Sequence, residues 1–128
     1  MKLEQAIDLL KTLIATPSIS RDEAAAAAVV EAEFRRWGFC PQRVGNNVWA
    51  EAWAHDESKP TMLLDAHLDT VKPNAAWVRD PFTPTLEGES LYGLGSNDTG
   101  GSLVALFHTF VHLSRTVQPY NLIMLASA

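Results

Sequence analysis

Leu63-Leu64-Asp65-Ala66-His67-Leu68-Asp69-Thr70-Val71 is the stretch around which the chain is organised. The apolar run Met62 to Leu64 predicts a buried strand, and we expect Thr61 to Ala66 to be the central strand of a sheet. In extended chain, residues i and i+2 project to one side, so His67 and Asp69 share a face as the strand runs out. A neutral imidazole is a good ligand for a borderline metal such as zinc. A carboxylate on its other ring nitrogen fixes the tautomer and raises its basicity. Alone, His-x-Asp is only a corner of a metal site, and a strand-end histidine satisfied by a backbone carbonyl is the commoner arrangement.

The bulk properties narrow the field. The chain has 128 residues, 47% of them hydrophobic and 20% charged, which fits one globular domain with a real core. Its net charge is −5 and its lysines and arginines are scattered, which argues against a nucleic-acid partner. Glu4 and Asp8 interrupt the N-terminal apolar pattern, unlike a secretory signal, and no apolar run is long enough for a bilayer. We therefore expect no membrane association. The lone Cys40 excludes an internal disulfide and suits a reducing cytoplasm. The closing residues Leu122 to Ala128 read as a strand cut at its end, so residues 1–128 are expected to be the first part of something longer.

Working outward, Leu3, Ile7, Leu10, Leu13 and Ile14 recur at helical spacing, and Thr16-Pro17 ends that helix. Ser20 with Glu23 predicts a capping box for a second helix, rich in alanine, that runs to a terminating Gly38. Gln42 to Val44 and Val48 to Trp53 flank Gly45-Asn46-Asn47 and predict a hairpin. His55 reads as a surface residue. Lys72 to Thr85, with three prolines, predicts a long ordered loop. Gly100 to Ser114 predicts a helix with Leu103, Leu106, Phe107 and Phe110 inward, and Tyr120 to Ala126 an apolar strand that could be left with an unpaired edge. Helix, helix, hairpin, strand, helix, strand is the pattern of an α/β domain with a mixed, partly parallel sheet.

Gly93-Leu94-Gly95-Ser96-Asn97-Asp98-Thr99-Gly100-Gly101-Ser102 opens the last helix and admits three readings. A dinucleotide fingerprint needs glycine where Asp98 stands, and that carboxylate would repel a pyrophosphate. A phosphate loop needs lysine where Gly101 stands. In the third reading the flanking glycines let the backbone aim Asp98 at a cation, and Asp98 can also serve as the helix N-cap. His108 and His112 have zinc-helix spacing, but Thr109 stands where the zincin motif has glutamate, so they read as exposed or interfacial histidines.

With His67-x-Asp69-Thr70-Val71 followed about thirty residues later by Leu91-Tyr92-Gly93-x-Gly95-x-x-Asp98, the chain resembles the dinuclear-zinc amidohydrolases and exopeptidases. That group contains acetylornithine deacetylase, succinyl-diaminopimelate desuccinylase, aminoacylase and glutamate-releasing carboxypeptidases. The likeness extends to Thr16-Pro17-Ser18-Ile19-Ser20, the Gly45-Asn46-Asn47 hairpin and Asp80-Pro81-Phe82. It implies a three-layer α/β/α zinc-exopeptidase fold, truncated here, with residues 1–128 forming the N-terminal part of the catalytic domain. It implies that His67 is a terminal zinc ligand, that Asp98 bridges two zincs with a cis 98–99 peptide, and that Asp69 belongs to the catalytic centre as the group orienting the imidazole. Cobalt could substitute for zinc. Where the commoner pattern has Met-Lys-Gly after the bridging aspartate, this chain has Thr99-Gly100-Gly101, which leaves the substrate open.

The chemistry implied is metal-assisted hydrolysis, with the general base in a Glu-Glu pair directly after the strand that ends this chain, at or just past its end. Further ligands and a dimerising lid domain would lie downstream, so these residues alone are expected to bind metal weakly and to be inactive. The leading expectation for the complete protein is a cytoplasmic, homodimeric deacylase of N-acyl amino acids resembling acetylornithine deacetylase, with a place in arginine biosynthesis. The rivals are an exopeptidase of the same fold acting on short peptides, and a non-catalytic α/β binding module.

Overall fold

A computed structural model describes residues 1–128. The elements are α1 (Leu3–Ile14), α2 (Ala24–Arg36), β1 (Gln42–Val44), β2 (Asn47–Glu51), β3 (Thr61–His67), β4 (Thr85–Glu87), β5 (Ser90–Tyr92), α3 (Gly101–Leu113) and β6 (Asn121–Ser127), with a short wound turn at Ser96–Gly100 before α3. The α/β class and the mixed sheet are as the sequence predicts. The main sheet has the order β1-β2-β6-β3, in which β6 runs antiparallel to β2 and parallel to β3. The β4-β5 hairpin stands apart as a second, two-stranded sheet.

The period-two alternation of the strands decides which face is covered. Val48, Ala50, Ala66, Leu122, Met124 and Ala126 point to one side and join the buried faces of the three helices. Phe34 of α2 and Phe107 and Phe110 of α3 fill the middle. The Phe34 ring lies 4.9 Å from Phe107 and meets Phe110 edge-on at 5.9 Å. The opposite face carries Val44, Trp49, Leu63, Ile123 and Leu125, which line an open groove. Within residues 1–128 the helices thus form one layer on one face.

Three expectations are corrected. Thr61 to Ala66 is not central: β3 is an edge strand, and Met62 and Leu63 are exposed. The feared unpaired edge on Tyr120 to Ala126 falls on β3 instead, because β6 is paired on both sides. An apolar run cannot tell a strand flanked by two neighbours from one flanked by a single neighbour. Third, Ser20 and Glu23 do not form a capping box. Glu23 is itself the N-cap residue of α2 and makes no side-chain cap bond. Its carboxylate accepts hydrogen bonds from the Arg21 N–H and from Asn46 Nδ2 (2.9 Å), and Ser20 turns elsewhere.

The hairpin strands are as expected to within two residues. Lys72 to Thr85 is irregular up to β4 and locally ordered: Asp80 accepts hydrogen bonds from the Phe82 N–H and the Thr83 hydroxyl, both at 2.9 Å. The Leu94 N–H donates to the Pro81 carbonyl at 2.7 Å, which fastens this loop to the glycine-rich turn. Buried Asn121 pairs both ways with the Asp56 backbone at 2.9 Å, tying the 52–60 connection to the start of β6. Cys40 is exposed, as is His112; His108 is half-buried with Nε2 2.8 Å from the Met1 carbonyl, an interfacial role. His55 pairs loosely with Glu51 at the surface.

Candidate metal centre

β3 and β6 are parallel and their last residues, His67 and Ser127, are register partners. Their carboxyl ends therefore open on the same side, where sites form in open α/β sheets. His67 leaves β3 with its ring turned toward that edge. Its Nδ1 lies 3.1 Å from Asp69 Oδ1 and 3.0 Å from the Asp69 carbonyl. Its Nε2 lies 3.1 Å from Asp98 Oδ1. Two side chains thirty-one positions apart are thus brought to one point, and Asp69 lies against the opposite nitrogen of the ring.

The turn that delivers Asp98 depends on close packing against α1 and the strand exit. Gly95 has φ +75°, and a Cβ there would sit 2.6 Å from the Thr70 methyl, so only glycine fits without a shift. The Gly100 N–H donates to the Gly95 carbonyl at 2.8 Å and closes the turn. The Asp98–Thr99 peptide is cis. Asp98 does not cap α3: the N-cap residue is Gly100, without a side-chain bond, and the carboxylate is spent on His67. Thr99, in the place of the commoner methionine, donates its hydroxyl to the His67 carbonyl at 2.9 Å and ties the turn to the strand.

The donor set fits a borderline cation. An imidazole that donates from Nδ1 presents the Nε2 lone pair to the Asp98 carboxylate, and two lone-pair atoms 3.1 Å apart repel unless a proton or a cation relieves them. A tetrahedral zinc with bonds near 2.0–2.1 Å sets neighbouring ligands about 3.3 Å apart, close to the separation found. No three His, Cys, Asp or Glu side chains are arranged to hold a metal ion together, and Asp69 lies against the other ring nitrogen, so this corner offers two ligands. His67 is 41% and Asp98 84% exposed, so solvent screens the contact and it matters little to folding.

Comparison with known proteins then decides the family. Residues 63–128, which include His67, Asp69 and Asp98, match the peptidase family M20/M25/M40. The chain belongs to this family. A succinyl-diaminopimelate desuccinylase of Stenotrophomonas maltophilia is 37% identical over 109 residues, spanning 80% of this chain and 28% of the relative. An M20 family metallo-carboxypeptidase of Sulfolobus solfataricus superposes with a TM-score of 0.78 at 24% identity, covering 99% of this chain and 31% of that one. A dinuclear metal-binding M20 peptidase of Bacillus subtilis superposes at 0.68 with 15% identity, covering 96% and 34%. The chain thus spans about a third or less of the length of these M20 proteins.

Membership of a metallopeptidase family agrees with the resemblance drawn from the two motifs. Two contacts behind this corner give no sign of themselves in the sequence. The spacing assigns Ser20 to a helix cap, whereas its hydroxyl donates to Asp69 Oδ2 at 2.5 Å across forty-nine positions. Thr99 reads in the sequence only as a departure from the commoner pattern, whereas its hydroxyl reaches the His67 carbonyl. Neither partnership leaves a spacing signal, because both cross between elements. Glu23 lies close enough to Asp69 for that charge to act on it. Burial and the Asp69 charge push its carboxyl up, but hydrogen bonds from Asn46 and from backbone N–H groups prevail and hold it below the ordinary value.

Proposed function

We propose that residues 1–128 are the metal-binding N-terminal part of the catalytic domain of an amide hydrolase that removes an acyl group from an N-acyl amino acid. The observation that carries this reading is the approach of His67 Nε2 to Asp98 Oδ1 at the mouth of two parallel strands, in a chain of the M20 family. His67 through Nε2 and Asp98 through its carboxylate would hold the metal, and Asp69 would keep the ring oriented. Zinc suits this nitrogen and carboxylate pair, and cobalt is the natural substitute. Bound there, the metal pair would polarise the scissile carbonyl and lower the pKa of a bound water.

The acyl group is the finer question. The resemblance favours acetylornithine, which would place the protein in arginine biosynthesis; similarity to desuccinylases brings in a succinyl group, still within amino-acid biosynthesis. Both share an acylated α-amino acid framework. A homodimeric complete protein in a reducing compartment such as the cytoplasm completes the proposal, supported by the family resemblance and the free Cys40. No helix is long and apolar enough to cross a membrane.

Two measurements test this. Zinc titration of the 128-residue chain, followed through the 15N signals of His67, should show weak binding that Asp98→Ala weakens further, since two ligands fall short of the four that zinc takes. Tight uptake of two equivalents would contradict the two-ligand corner. The complete reading frame, assayed on N-acetylornithine, N-succinyl-diaminopimelate and dipeptides, should hydrolyse an acyl amino acid fastest and lose that activity with chelators and with His67→Ala. Preference for dipeptides would move the protein to the exopeptidases.

A further inference from the structure

Between α1 and α2 the chain passes directly behind His67. Residues 18–20 lie along the strand exit: the Thr70 N–H donates to the Ser18 carbonyl at 2.8 Å, the Ser20 N–H donates to the Thr70 carbonyl at 3.1 Å, and Ile19 and Thr70 form a parallel bridge. Arg21 then takes φ +77°, rare for a residue with a Cβ, and turns the chain away into α2. Backbone contacts fix the place of Ser20. Its hydroxyl reaches the Thr70 carbonyl only at 3.5 Å but sits 2.5 Å from Asp69 Oδ2.

We propose that Ser20 is a positioning residue for His67, acting through Asp69. A carboxylate on a strand exit can rotate about two side-chain torsions, and only one orientation sets Oδ1 against the imidazole. The Ser20 hydroxyl donates to Oδ2, a charge-assisted O–H···O⁻ bond of the strong class, and so removes that freedom. The other oxygen, Oδ1, then meets Nδ1 at 3.1 Å, and Nε2 is left directed at Asp98. The order is Ser20, Asp69, His67, Asp98, with each group aiming the next. Groups that orient a ligating histidine set its tautomer and basicity, and their loss weakens a metal site without emptying it.

A rival sits in the same place. The Asp69 carbonyl is 3.0 Å from the same Nδ1, and if it takes the proton, neither the Asp69 carboxylate nor Ser20 matters to the ring. This separates the two experimentally. The inference rests on the proposed function only for what the positioning serves, because the Nδ1–H bond can be read with no metal present.

The experiment follows the exchange of the His67 Nδ1 proton with water in the metal-free, 15N-histidine-labelled 128-residue chain. Ser20→Ala should speed that exchange by about tenfold, and Ser20→Thr, which keeps the hydroxyl, should leave it near the parent rate. The thermal midpoint should be nearly unchanged in both. If alanine disturbs the fold, the isosteric pair Ser20→Thr and Ser20→Val gives the same comparison at constant shape. An unchanged exchange rate in the alanine or valine chain overturns the proposal and assigns the proton to the Asp69 carbonyl. A zinc titration of the same samples is read separately. Silence at His67 in the parent chain would count against the metal reading, while the exchange rates would still decide the role of Ser20.

Discussion

β3 and β6 look alike in sequence, run parallel and pair residue for residue, yet they live differently. β6 lies between two strands, and its Met124 is wholly buried; β3 has one neighbour, and its Leu63 is 53% exposed. The strand that carries the fold carries none of the candidate ligands. The strand that carries His67 gives the core only Ala66 and the half-buried Leu64. A ligand needs an open side and a fixed backbone, and an edge strand bonded along one flank supplies both.

Mutation can break this contrast. Met124→Ala should cost about 2–5 kcal/mol, read as a lowered urea midpoint, because it opens a cavity in the packed face. Leu63→Lys, on the open face, should move the same midpoint by less than about 1 kcal/mol and reduce self-association along the exposed edge, as light scattering would show. Equal costs at the two positions would mean that the second face is covered in solution.

The other edge of the sheet sharpens the comparison at smaller amplitude. β1 is held to α2 by carboxylates: Glu31 lies 3.4 Å from Arg43, and Glu23 accepts from Asn46 at 2.9 Å. Bonding from Arg35 chiefly, with Arg43, holds the Glu31 carboxyl below its ordinary 4.5, against the opposing pull of desolvation. A lowered folded-state value means that this contribution is full above pH 4.5 and is lost as pH falls through the folded value. Protection of the β1 and β2 amides, taken relative to the intrinsic exchange rate at each pH, should therefore fall on acidification below about pH 4.5, and Glu31→Gln should remove part of that dependence. If β3 loosens first, the two edges are not held as described.

Much of this was legible before any coordinates. The helix of Leu3 to Ile14, the Gly45 hairpin and the helix after the glycine-rich turn follow from periodicity and turn residues, and the pairing of His67 with Asp98 from the family resemblance that two ordered motifs carry. Ser20 shows where such reading stops. A serine three residues before a glutamate is a valid capping signal, and only the passage of the chain beside Thr70 gave the hydroxyl a better partner. The place of the edge was hidden for a similar reason, since strand order depends on which neighbours a strand meets and not on its own side chains.

By itself, the sequence determined the local states: where the backbone winds or extends, where glycine must stand, and which side chains are able to bind a cation. Those follow from short-range sterics and from the chemistry of single residues. Tertiary structure decided which strand became the edge, which face remained open and which hydroxyl stands behind Asp69. These depend on contacts between residues dozens of positions apart, where burial and hydrogen bonding are settled jointly rather than residue by residue.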